Sequence, residues 1–355
     1  MRLNGCRIYL TILALVLALL LAACKAKPTP TPTPTPSPTP EITATPLDLE
    51  TLEPTSTATP APLGSSSNPV VIGYIVETPS SIAATSADKI AQELTSSTGY
   101  SFSSQTFSSY DDLLTAFDEG RLHMAFLPPG TYLAARDQGL VDVLLVTNHF
   151  GRFAYGTQFL AQVSSGFTHY FNPLTNQNTT DVGSALAQLA GKRPCLTEEG
   201  SLSGYWLPLG LLASESVPIQ PAVVTQSQTA VIRSLYVQQI CDFGATFALS
   251  GDPRTASGIL ESFPDVLDKV VVIWRSEAVI PSINVSVSVD LPNQIRQLLS
   301  DALISLVKTA DGKTLLTEAL VYNVNDLKPV NDDYYNPLRN YLKAAGADIQ
   351  ALVGK

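Results

Sequence analysis

Gly120-Arg121-Leu122-His123-Met124-Ala125-Phe126-Leu127-Pro128-Pro129-Gly130-Thr131-Tyr132 holds one complete repeat of the architecture. Leu122–Leu127 is a short apolar run of strand character, Pro128-Pro129-Gly130 interrupts it, and Thr131 opens a helix expected to reach Asp137. The alternation extends in both directions. Upstream, the β-branched run Val70–Val76 predicts a first strand, Ala83–Leu94 a helix and Tyr100–Phe107 a second strand. Tyr110–Phe117 follows as a short amphipathic helix with Leu113, Leu114 and Phe117 on one side, and Val141–Thr147 is a strand beyond the central unit. Repeated strand–helix–strand units specify an α/β fold with a mostly parallel sheet flanked by helices.

A second set begins after the strand Tyr155–Val163. It comprises helix Val182–Leu189, strand Arg193–Thr197, helix Ser203–Leu212, strand Ala222–Gln226, helix Ala230–Tyr236, strand Ile240–Leu249 and a helix near Thr255–Ser262. Strands Val270–Trp274 and Val285–Val289 then precede helices Pro292–Thr309, Leu315–Leu320 and Tyr335–Ala345. Two sets of similar size, with a return to the first, predict two lobes joined by two crossings, at Phe159–Val163 and Trp274–Ile280. Residues 68–158 and 275–355 are assigned to the first lobe plus C-terminal helices, and 159–274 to the second. The polar stretch Thr168–Thr180 reads as an insertion loop in which Tyr170 and Phe171 have no evident core role.

The N-terminus is read as an address. Arg2 and Arg7 precede the apolar run Ile8–Ala23, which ends in Leu21-Ala22-Ala23-Cys24, resembling a lipobox. Residues 1–24 are therefore expected to be a lipoprotein signal with Cys24 as the lipidated residue; an uncleaved anchor with a chance cysteine is the alternative. Residues 25–67 carry Thr-Pro repeats and are expected to be a disordered, extended tether with a reach of up to ~130 Å at about 3.1 Å per residue. Cys195 and Cys241 are then the cysteines of an exported domain, where one disulfide is expected; two buried free thiols are the alternative.

Composition excludes several functions. The 355 residues carry Lys+Arg 21 against Asp+Glu 31, a net charge of −10, with no basic run beyond the first residues. A nucleic-acid partner is excluded, since phosphate backbones are held by clustered Lys and Arg. His123, His149 and His169 have no accompanying ligand pattern, so neither a metal nor a cofactor is expected. A serine hydrolase needs Gly-x-Ser-x-Gly, but Gly200 and Gly204 bracket Leu202 at the nucleophile position, so the chain is not read as an enzyme.

Several blocks carry a family resemblance. Ser109-Tyr110-Asp111-Asp112-Leu113-Leu114, the Gly120–Tyr132 block, Leu189-Ala190-Gly191-Lys192-Arg193 and Gly200-Ser201-Leu202-Ser203-Gly204-Tyr205-Trp206-Leu207-Pro208 occur in order. Together with Cys241-Asp242-Phe243-Gly244-Ala245 and Ile273-Trp274-Arg275-Ser276, they resemble the phosphate/phosphite/phosphonate-binding proteins of ABC importers over nearly all of residues 69–330. The resemblance implies a type II periplasmic-binding fold, a two-lobed clamshell closing on a small oxyanion. It also implies a partner permease of the inner membrane, and a monomeric receptor held by its N-terminal lipid on the extracytoplasmic face, periplasmic or at the cell surface. The alternatives are a ligand-sensing receptor of the same fold that feeds a membrane signalling partner, and a binder of a non-phosphorus solute.

Within that frame, Ser201 and Ser203 with the backbone of Gly204 and Tyr205 form a Gly-Ser loop opening a helix, where N–H donors and the macrodipole favour an anion. An ordinary helix cap uses the same residues. Tyr110 and Tyr155 match ligand-contacting tyrosines of the family, Thr131 opens a helix that faces the cleft, and Gln228 completes the candidate set. Ser227-Gln228-Thr229 stands where the family has a His-containing turn, Leu202 replaces a Thr, and Glu198 and Glu199 precede the serine loop.

Overall fold

The computed structural model describes residues 61–76, 81–237 and 240–355; the signal segment with Cys24, and the tether as far as residue 60, lie outside the described residues. Residues 61–67, expected as the end of the tether, are part of the fold. The carbonyl of Gly64 accepts from Ser101 N at 2.7 Å, and Leu63 packs on the core beneath.

The first lobe opens with β1 (Val70–Ile75), a β-branched strand buried along most of its length, as a strand covered on both faces must be. Helix α1 (Ile82–Thr98) follows; Ser81 caps it by accepting from Ala84 N, and Gly99 ends it in the left-handed region. β2 (Phe102–Phe107), α2 (Tyr110–Asp118), β3 (Met124–Leu127), α3 (Pro129–Asp137) and β4 (Val141–Asn148) complete this half. The alternation read from the sequence is present, with ends shifted by a few residues.

The second lobe contains β5 (Ala154–Gln162), a small hairpin of β6 (Phe171–Asn172) and β7 (Gln177–Asn178), α4 (Val182–Leu186) and β8 (Pro194–Leu196). A π-helical turn over Leu202–Trp206 runs straight into α5 (Leu207–Ser214). Then come β9 (Val223–Val224), α6 (Gln228–Val237), β10 (Phe243–Ala248), α7 (Ser257–Ser262), α8 (Val266–Lys269) and β11 (Val270–Arg275). The chain returns through β12 (Ile280–Pro281) to β13 (Asn284–Ser288), α9 (Asn293–Val307), α10 (Ala310–Leu320), β14 (Asp326–Pro329) and α11 (Asn336–Ala344).

The two sheets share one order of pairing: β2-β1-β3-β13-β4 in the first, extended by β14, and β9-β8-β10-β5-β11 in the second. In each, the strand arriving from the other lobe is inserted antiparallel: β13 between β3 and β4, β5 between β10 and β11. The remaining neighbours β1, β2 and β3, and β8, β9 and β10, pair in parallel.

Two expectations need correction. Phe159–Val163 is not a crossing: Phe159 pairs with both Ala245 and Trp274 in the interior of β5. The apolar run is a central strand, and the chain crosses earlier, between Asn148 and Ala154. The return starts after Arg275, within the expected Trp274–Ile280, since Trp274 and Arg275 still pair with β5. The stretch Thr168–Thr180 is not a bare insertion loop either. Phe171 is 8% exposed in the second-lobe core, with the Arg275 guanidinium 4.1 Å above its ring, so the hairpin is fastened to β11.

The C-terminal helix belongs to both lobes. α5 is apolar all round, so it needs cover on two sides. β5 covers one side and α11 the other, with Gly210 lying against the backbone of Tyr341. α11 is tied back to α3 through Asp332, which pairs with Arg339 and accepts from Tyr132 Oη at 2.6 Å. Cys195 in β8 and Cys241 just before β10 are joined by a disulfide across these paired strands.

Candidate functional site

Parallel strands in an α/β sheet place their ligands beyond their carboxyl ends. A cavity of about 500 Å³ lies there, between the two sheets. The first lobe contributes Pro128 and Pro129 after β3 and His149 after β4; the second contributes Phe247 and Ser250 from the end of β10 and Ser203 from the π-helical turn. The crossing segments add Arg152 and Ser282, and the start of β5 adds Tyr155.

Ser203 and Tyr155 are therefore brought together, as the sequence suggests. Ser203 is 5% exposed, and burial pushes the Tyr155 hydroxyl well above its ordinary pKa, which keeps it a donor at neutral pH. Ser201 stands behind Ser203. Its Oγ caps the turn by accepting from Gly204 N at 3.0 Å, and its carbonyl accepts from the Tyr205 and Trp206 amides at 3.2 Å each. The backbone donors expected from Gly204 and Tyr205 are thus committed within the turn. The Tyr205 hydroxyl donates to Glu199 Oε1 at 3.3 Å.

Gln228 closes this cluster from α6. Its Nε2 donates to Ser201 Oγ, and its Oε1 accepts from Phe247 N at 3.0 Å, so it fixes the serine loop against the end of β10. Tyr110 is separated from the others. It lines an adjoining cavity of about 790 Å³ with Ile82 and Glu318, and burial raises its pKa to about 12. Tyr322 lines both cavities and is the wall between them.

Thr131 does not face the cleft as an open donor. It is fully buried, and its Oγ1 accepts from Gly354 N at 2.7 Å. The segment after α11 lies over the start of α3, a long-range contact to which no local pattern around Thr131 points.

The structure adds site residues that the sequence reading passed over. His149 and Arg152 close a tight turn by exchanging backbone hydrogen bonds at 2.7 and 3.0 Å. Phe150 and Gly151 occupy its centre at positive φ of 45° and 84°, a strained position for phenylalanine at a cavity wall. His149 Nδ1 faces the Asn323 carbonyl at 2.9 Å, which can only accept; Nδ1 therefore carries the proton and Nε2 is the remaining site. The ring stacks on Tyr322 with centroids 3.9 Å apart. The turn dipeptide Phe-Gly is the only local signal that could have marked this corner.

Electrostatically the cavity is one-sided. Its lining holds the side chains of His149, Arg152 and Lys355 and, among the described residues, no Asp or Glu side chain. Glu198 and Glu199 are exposed and are not part of that lining. No group of three or more metal-ligating side chains occurs among the described residues.

Residues 72–335 match the family described as ABC transporter, phosphonate, periplasmic substrate-binding protein. No curated protein matches the chain. Among solved structures, XAC2383 from Xanthomonas citri bound to chloride ion is similar with a TM-score of 0.56 and 16% identity, covering 78% of this chain and 97% of that one. The same protein bound to ATP gives 0.56 and 15%, covering 78% and 96%. Transferrin 1 from Manduca sexta gives 0.52 and 10%, covering 78% of this chain and 47% of its own. At these identities the likeness is one of fold alone.

Proposed function

The chain belongs to the family of ABC-transporter phosphonate periplasmic substrate-binding proteins, and from that premise we propose that it is a lipid-anchored receptor for a small phosphonate-, phosphite- or phosphate-like oxyanion. As a member of that family it is an extracytoplasmic binding component rather than an enzyme, with a small-molecule ligand and a permease as partners.

The observation that carries the anion reading is the cavity lining: Tyr155, Ser203 and Arg152 with no Asp or Glu side chain among the described residues. A dianion loses its hydration on entry, and only charge-assisted donors offset that cost. Ser203 and Leu202 occupy the first turn of the helix that continues through α5, where amides lack intrahelical acceptors and the macrodipole adds attraction. Lobe closure over the ligand would then form the surface that a permease reads. The anchor rests on Arg2, Arg7 and Leu21-Ala22-Ala23-Cys24.

The test is a thermal-shift and calorimetric titration of the full chain with methylphosphonate, phosphite, phosphate, sulfate and a set of uncharged solutes. A ligand at 100 times its Kd adds about 2.7 kcal/mol, enough to move the melt by several degrees. The expected result is a shift with a phosphorus oxyanion that is lost in Ser203→Ala. No response to any oxyanion, with a shift from an uncharged solute, would sink the reading.

A further inference from the structure

The turn after β4 holds one imidazole in a fixed orientation at the cavity wall. His149 Nδ1 donates to the Asn323 carbonyl at 2.9 Å, and Asn323 Oδ1 accepts from Phe150 N at 3.3 Å, so one residue holds both the ring and its turn. The ring is stacked on Tyr322 with centroids 3.9 Å apart and planes 14° apart, and the Phe150 ring lies against it at 4.4 Å. Tyr322 and Asn323 are brought here by two features of the fold. Val321 ends α10 in the left-handed region at φ 48°, and β14 then pairs Asp326 with Asn148 beside the turn.

This seat fixes the tautomer. In His123 the backbone imposes the opposite one: Nδ1 accepts from Val71 N at 3.0 Å, so the proton is on Nε2. In His149 the proton on Nδ1 is committed to the Asn323 carbonyl, and Nε2 has no hydrogen-bond partner among the described residues. A neutral imidazole in this form presents a lone pair at Nε2, which accepts and cannot donate. At neutral pH every oxygen of sulfate or of a sulfonate is also an acceptor, so such a ligand meets Nε2 lone pair to lone pair. Phosphate keeps a proton at neutral pH, and a phosphonate or phosphite keeps one on part of its molecules. Their P–O–H group is the donor that Nε2 lacks.

We propose that His149 Nε2 accepts a hydrogen bond from the P–O–H group of the ligand, so that the receptor takes a phosphorus oxyanion still carrying a proton and rejects sulfate and sulfonates. The proton stays on the ligand, and its other oxygens are left for the donors Ser203, Tyr155 and Arg152 of the same lining. A site built to pair with a ligand hydroxyl discriminates strongly against an analogue that lacks it, because its own polar group is then unmatched. The titratable or charged side chains about the ring are Tyr322 stacked on it and Arg152, Tyr155 and Lys355 in the lining; among the described residues no Asp or Glu forms an ion pair with it. This rests on the oxyanion reading above and deepens it, by naming the protonation state that the site selects.

The experiment is isothermal titration of the full chain and its His149→Phe variant with methylphosphonate, phosphate, methanesulfonate and sulfate, with the imidazole nitrogen resonances of the parent recorded by NMR. Phenylalanine keeps a ring to stack on Tyr322 and removes both nitrogens. The expected result is that the parent prefers methylphosphonate to methanesulfonate by roughly 10-fold or more, and that His149→Phe loses most of this preference by weakening methylphosphonate alone. In the parent, His149 Nε2 should resonate as an unprotonated nitrogen and shift on addition of methylphosphonate, while His123 stays still. Equal affinity of the parent for methylphosphonate and methanesulfonate, or an unchanged preference in His149→Phe, overturns the role of His149 and leaves the receptor reading standing. A proton on Nε2 in the complex overturns it too, by making the ring a donor. If His149→Phe does not fold, the nitrogen resonances and the affinities of the parent decide. If the parent binds none of the four oxyanions, the receptor reading fails and this inference with it.

Discussion

Gln228 Nε2 donates to Ser201 Oγ at 3.3 Å, which ties the start of α6 to the serine loop of the second lobe. The same side chain accepts from Phe247 N, so one amide holds three chain segments at the edge of the cleft. Gln228→Leu removes the acceptor and leaves the part-buried Phe247 amide unpaired. The expected cost is about 1–3 kcal/mol in urea unfolding, with a loss of oxyanion affinity as the loop loosens. Unchanged unfolding would mean that water replaces the amide at no cost.

Ser201 and Ser203 have separable roles. Ser201→Ala deletes the cap on Gly204 N and should cost about 1 kcal/mol of stability. Ser203→Ala deletes a cavity hydroxyl with no capping partner, and should change stability little while weakening oxyanion binding. Equal losses of stability in both variants would contradict this division.

The Cys195–Cys241 bond closes a loop of sequence separation 46 within the second lobe. By chain-entropy arithmetic its removal should cost about 4 kcal/mol, at the upper end of the usual range. Denaturation with and without reductant, set beside Cys195→Ala/Cys241→Ala, measures it; a reductant-insensitive midpoint would show that the bond is not formed.

Asp332 sits between Arg339 and Tyr132. Burial alone would raise its pKa, but hydrogen bonds from Arg339 and Tyr132 and the Arg339 and Arg136 charges hold it below the ordinary carboxylate value. A carboxyl depressed on folding contributes stability that is present above its unfolded pKa of about 3.9 and is lost as pH falls through the lower folded value. Asp332→Asn should therefore lower the melting temperature at pH 7, and the gap from the parent should shrink as the pH approaches 3. A pH-independent gap would place the effect in packing instead.

Cys24→Ser should release the protein from the membrane fraction and abolish metabolic labelling with a radioactive fatty acid. Retention in the membrane without label would instead identify residues 8–23 as an uncleaved anchor.

Most of the fold was legible in the chain because it rests on local periodicity. β-branched runs such as Val70–Ile75 and amphipathic spans such as Tyr110–Asp118 state their own secondary structure, and their alternation specifies an α/β lobe. The serine loop was legible for the same reason, as a cap followed by an apolar helix. The first crossing was misplaced because a buried central strand such as Ala154–Gln162 has no polar face to reveal where it pairs.

The cavity charge was not legible, because it depends on which distant segments meet. Nothing near Thr131 announces that Gly354 will cover it. His149 reached the cleft through a strained turn held on Asn323, although the sequence around it carries no ligand pattern. Sequence by itself determined the elements, since backbone hydrogen bonding and side-chain periodicity act over a few residues. Only the tertiary structure decided which donors are left for a ligand, because each donor spent on a long-range contact is removed from the site by the packing that creates it.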